Sequence, residues 1–167
     1  HSLLLRGPSR QARGGSFYFL LRNATIYFMQ KKIITALRVV TSLIFLWAFI
    51  DKLFGLGFAT TAENAWLSGG SPTLGFLTYG THGPLSALFQ SLAGVAIIDW
   101  LFMLGLLFVG LSLLLKKFVK WGAIAGAVMM ALIYLSAWPP VNNPLLDEHL
   151  IYILLFLLFY SESANHA

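Results

Sequence analysis

Three acidic positions carry the residue types from which proton and charge chemistry is built. They are Asp51 beside Lys52 in FIDKLF, Asp99 beside Trp100 in IIDWLF, and the Asp147–Glu148–His149 run. A charge at the centre of a hydrocarbon layer costs roughly 2.5–3.5 kcal/mol. Asp51 and Asp99, set in strongly apolar sequence, therefore need a partner or a raised pKa. Paired carboxylates and an imidazole relay protons, and lysine, histidine and the indole N–H donate hydrogen bonds to a planar polar headgroup. Asp51, Asp99, Asp147 and His149 are the candidate catalytic groups, with Lys52, Trp100, Trp138 and His82 as candidate binding groups. For Lys52, Glu148 and Trp138 taken alone, ordinary interfacial anchoring is the preferred reading, because helix ends are polar and tryptophan belts are common. The chain has no cysteine, which excludes thiol nucleophiles, disulfides and cysteine-ligated zinc or iron–sulfur clusters. No HExxH, GxSxG or phosphate loop occurs, so no metal site is expected. A bis-histidine haem needs two facing histidines, and only His149 lies near an apolar run, so no haem is expected either.

The elements that must hold these residues follow from composition. The 167 residues are 58% hydrophobic and 10% charged, with a mean hydropathy of +0.78. A soluble domain is about 45–50% apolar and about 25% charged. Too few polar groups remain to cover a water-facing surface, which points to an all-α integral membrane protein. Four apolar runs stand out, at 33–54, 95–115, 119–138 and 145–160. At ~1.5 Å per residue each of the first three reaches the ~30 Å of a hydrocarbon core, and the fourth falls short. The expected fold is a four-helix bundle with a long outer loop. That loop, residues 55–94, is glycine-rich yet carries Trp66, Leu67, Leu74, Phe76, Leu77 and Tyr79, so it lies in the interface or folds back onto the bundle. Its end, PLSALFQSLAG, places Leu85, Leu88, Phe89 and Leu92 at helical spacing behind Pro84, predicting a short interfacial helix.

Lysine placement orients the bundle. Lys31 and Lys32 precede the first run, Lys116, Lys117 and Lys120 fill the turn between the second and third, and the other two connections have no lysine or arginine. Both termini and the 116–120 turn are read as cytoplasmic, which gathers Asp51, Asp99 and Asp147 at the outer face. Arg38, about 7.5 Å past Ile33 at the helical rise, is read as snorkelling to the inner face, with a carbonyl or headgroup partner as the alternative. Gly122 and Gly126 form a GxxxG read as internal packing, with a homo-oligomer face as the second reading. The net charge of +5 does not indicate nucleic-acid binding. Four of the eleven basic residues precede Met29, and the remaining seven balance six acids to +1. Residues 1–28 are read as a non-native or misassigned basic extension, with a basic arm on anionic lipid as the alternative, and 29–167 as the membrane domain.

The segments RVVTSLIFLWAFIDKLFGLGFAT, NAWLSGGSPTLGFL, THGPL, IDWLFMLGLLFVGLSL and NNPLLDEHLIY together resemble the DoxX/DoxD family of small prokaryotic membrane proteins. That resemblance implies a four-helix fold in the prokaryotic inner membrane. It also implies kinship with the DoxD-like large subunit of thiosulfate:quinone oxidoreductase, which passes electrons from thiosulfate to quinone with a small DoxA partner. Quinone as a diffusible acceptor suits the residue types at the outer face. Thiosulfate, a dianion, is repelled by Asp51, Glu63, Asp99, Asp147 and Glu148, so a partner subunit is expected to bring the sulfur site. Two other readings stand beside this one. One is a non-catalytic accessory protein that docks a redox partner. The other is a small-solute or proton-coupled transporter, against which the chain shows neither an inverted repeat nor a helix broken at mid-membrane.

Overall fold

The computed structural model describes residues 10–141, 143 and 145–164, the side chains of residues 10–21 excepted. All regular structure among the described residues is helical. The helices are α1 (Arg10–Phe54), α2 (Ser86–Gln90), α3 (Ala96–Leu114), α4 (Val119–Ser136) and α5 (Glu148–Ala164). Among the described residues, three stretches are long and apolar enough to cross a membrane: Arg22–Phe54, Ala96–Leu114 and Val119–Ser136.

The first apolar run is longer than expected. Residues 22–54 contain no glycine or proline, so nothing breaks the backbone at Ile33, and Arg22 and Asn23 are carried within the helix. Along α1 the chain divides into two units, the first ending at Leu37 and the second beginning at Arg38. In the first unit Lys31 lies 4.7 Å above the Tyr27 ring and Lys32 4.4 Å above the Phe28 ring. These are one-turn cation–π pairs on an exposed helix surface.

In the second unit α4 packs against both α3 and α5. The core is formed by Phe45, Met103, Leu106, Val109, Leu113, Ala123, Met130, Phe156 and Phe159. Phe156 stands edge-on to Phe45 at 5.4 Å and to Phe159 at 6.3 Å. Both GxxxG glycines are buried within this packing. A methyl group on Gly126 would run into the Phe156 ring, and one on Gly122 into the Ser112 hydroxyl. The motif thus serves close approach within one chain.

The fourth apolar run starts later than expected. The Asn143 side-chain carbonyl accepts the N–H groups of Leu145 and Leu146, each at 3.0 Å, which holds these residues outside the helix. Asp147 then accepts the His149 N–H at 3.0 Å and caps α5, which runs only 17 residues. The interfacial helix over 84–94 is likewise shorter, a five-residue α2 followed by turns that end at Gly94 with φ +75°. Its apolar residues divide, Leu88 facing outward while Phe89 and Leu92 turn inward. Arg38 does not depend on snorkelling. Its guanidinium donates to the carbonyl of Leu113 in the last turn of α3, a group that helix geometry leaves without a partner.

Candidate ligand cavity

The segment between α1 and α3 is held down by carboxylates at the helix ends. Asp51, 1% exposed in the last turn of α1, accepts the backbone N–H of Ala59 at 3.0 Å and that of Phe58 at 3.4 Å. Asp99, 5% exposed in the first turn of α3, accepts three donors on Oδ1. They are the Thr73 hydroxyl at 2.6 Å, the Ser71 hydroxyl at 2.9 Å and the Thr73 N–H at 3.1 Å. Multiple donors offset the cost of burying a carboxylate, and removing the acceptor would orphan them. Both acids therefore tie a glycine-rich segment, which has little helix propensity of its own, to rigid helices.

A second tie joins this segment to the end of α4. The His82 N–H donates to the Ser136 carbonyl at 3.1 Å, and His82 Nε2 lies 2.9 Å from the Pro139 carbonyl oxygen. Gly83, at φ +78°, allows the approach, since a side chain there would strike the Trp138 carbonyl. Aromatic contacts complete the attachment, Trp66 edge-on to Trp100 at 4.6 Å and Trp47 to Phe58 at 5.1 Å.

Beneath the segment lies a cavity of about 500 Å³. Pro72, Thr73, Phe76 and Leu77 border it from the segment, Phe89 and Leu92 from α2 and its following turn, and Ile98, Leu101 and Phe102 from α3. Met129, Leu132, Ile133 and Ser136 of α4 and Lys52 of α1 close it. The volume falls within the ~300–1,000 Å³ range of small-molecule sites. Its hydroxyls are already engaged, Thr73 with Asp99 and Ser136 with the Ile133 carbonyl. Lys52 is different. Its ammonium lies 6.0 Å from the Phe102 ring centre, and among the described residues it makes no hydrogen bond or salt bridge. The arrangement is a single cation at the edge of an apolar hollow. It suits a ligand with one polar acceptor atom and an apolar body.

Of the eight residues singled out in the sequence, only Lys52 lines this cavity. Asp51, Asp99, His82 and Trp100 serve as attachment points for its cover, and the Trp138 carbonyl lies against Gly83 beside the second tie. Asp147 and His149 form a pair of their own at the start of α5, with Nδ1 2.7 Å from Oδ2. None of the three acids lines this cavity; Asp51 and Asp99 instead satisfy themselves locally on the covering segment. The cavity walls from Phe76, Leu77, Phe89, Leu92 and α4 were not singled out. Their one sequence signal is the excess of large apolar side chains in a glycine-rich stretch, which marks a segment folded onto something apolar. No family model, curated protein or solved structure matches the chain.

Proposed function

We propose that the chain is a four-helix membrane protein of the DoxX/DoxD kind that binds a quinone headgroup in the cavity beneath its outer segment. On this reading α5 is the fourth helix of the bundle, the termini are cytoplasmic, and the protein lies in a prokaryotic inner membrane. It serves as the membrane subunit of a thiosulfate:quinone oxidoreductase-like assembly. Reducing quinone to quinol takes two electrons and two protons. A small DoxA-like partner supplies the electrons as it joins two thiosulfates into tetrathionate. The observation that carries the reading is the Lys52 ammonium, which makes no hydrogen bond or salt bridge among the described residues, at the edge of a 500 Å³ apolar cavity. A quinone carbonyl accepts a hydrogen bond from such a cation, and the ring and tail fill the apolar volume. Asp51 and Asp99 act here by holding the cover in place. The two protons come from water at the open edge of the cavity, since the Asp147–His149 pair does not border it.

The test is titration of the purified full chain with decylubiquinone, read by quenching of tryptophan fluorescence. Binding is expected to saturate, to weaken by about tenfold or more in Lys52→Met, and to be largely kept in Lys52→Arg. Non-saturating quenching, or a Lys52→Met protein that binds like the parent, overturns the proposal.

One observation favours a second reading, that of a docking protein without chemistry. The covering segment presents Phe58, Leu67 and Tyr79 at 73%, 68% and 87% exposure, apolar side chains open to a redox partner. Co-purification of a partner through a chain that binds no quinone would select it.

A further inference from the structure

The described residues hold seven left-handed backbone positions. Five are glycines: Gly55, Gly57, Gly69, Gly83 and Gly94. The other two, Lys116 and Phe118, both at φ +57°, fall in the single turn that joins α3 to α4. A side chain in this conformation is disfavoured relative to glycine, and such outliers persist where the surrounding structure holds them, clustering at ligand-binding and switch regions. Elsewhere this chain places glycine at such points. Here it retains a cation and an aromatic ring.

The neighbours of these two residues extend the pattern. Lys117 lies between them and Lys120 follows in the first turn of α4. Arg38 brings its guanidinium to the Leu113 carbonyl, just ahead of Lys116. Glu162 is the one acid near this end. It sits on α5, which runs antiparallel to α4 as the Gly126–Phe156 and Tyr134–Leu145 contacts require, and it is engaged within the protein. Around the charges Leu115, Phe118 and Trp121 stand 59%, 72% and 65% exposed. A cluster of cations ringed by exposed apolar side chains, at the end of two helices long enough to cross a bilayer, lies at headgroup depth. The cavity borders α3 only as far as Phe102, so the helix from there to Leu114, about 18 Å, separates it from this turn.

We infer that the α3–α4 turn is a binding site for anionic phospholipid headgroups, with Lys116, Lys117 and Lys120 meeting the phosphates and Phe118 and Trp121 seated at the headgroup–acyl boundary. The site is independent of the quinone reading and rests on α3 and α4 lying in a bilayer.

The test places the full chain in phosphatidylcholine nanodiscs doped with brominated phosphatidylglycerol or, at equal mole fraction, brominated phosphatidylcholine. Quenching of Trp121 is isolated by subtracting a Trp121→Phe protein. Stronger quenching by the anionic lipid is expected, and the preference should fall about fivefold for each lysine changed to glutamine. Lys116→Gly separates the site from a merely structural turn. It should raise the thermal unfolding midpoint by relaxing the backbone while lowering the anionic preference. Millimolar inorganic phosphate should leave the quenching unchanged. Equal quenching by the two lipids, a preference that survives removal of all three lysines, an unchanged preference in Lys116→Gly, or displacement by free phosphate overturns the inference. Absence of quenching by either lipid overturns it together with the membrane-spanning reading of α3 and α4.

Discussion

Asp99 shows how a residue that looks catalytic in sequence can be engaged by structure instead. One of its oxygens accepts three donors from Ser71 and Thr73, and Thr73 itself borders the cavity. Asp99→Ala orphans the buried Thr73 N–H and is expected to cost about 3 kcal/mol, read from unfolding of the detergent-solubilised chain. Asp99→Asn keeps an acceptor oxygen and should cost about 1 kcal/mol. If Asn were as damaging as Ala, the negative charge rather than the acceptor would be what the segment needs. An apolar run interrupted by an aspartate reveals in sequence that a partner must exist. Which partner it is depended on residues 26 and 28 positions away, beyond the reach of any local pattern.

Among the elements, α4 carries the contrast between motif and surface. Gly122 and Gly126 face Ser112 of α3 and Phe156 of α5. Gly126→Ala therefore overpacks against a buried ring and should destabilise by about 1–3 kcal/mol. Pairing it with Phe156→Leu should recover part of that loss, and a double-mutant cycle in detergent measures the coupling. A purely additive result would show that the two positions do not touch. Helix lengths followed closely from the apolar runs for α3 and α4, where glycine, lysine and proline punctuate the chain. The α1 and α5 boundaries moved, since one had no breaker before Ile33 and the other was delayed by Asn143 and Asp147 side-chain bonds.

For the whole molecule, topology is the decisive quantity, and the absence of cysteine makes it directly measurable. Tyr79, 87% exposed on the covering segment, and Lys117, in the α3–α4 turn, belong to opposite ends of α3. Tyr79→Cys is expected to react with a membrane-impermeant maleimide in intact cells, and Lys117→Cys only after permeabilisation. Labelling of both from one side would refute the spanning reading of α3, and the reverse pattern would invert the orientation.

Composition and periodicity by themselves determined that the chain is helical and apolar enough to enter a membrane. They also located two of its three long apolar helices closely, because these properties are sums over local residues. Only the tertiary structure decided that Asp51 and Asp99 bind the connecting segment, that Arg38 completes α3, and that Lys52 faces an apolar hollow. Those outcomes turn on which of several available donors and acceptors meet once the helices pack. That choice is made between residues far apart in the chain, where no spacing rule operates.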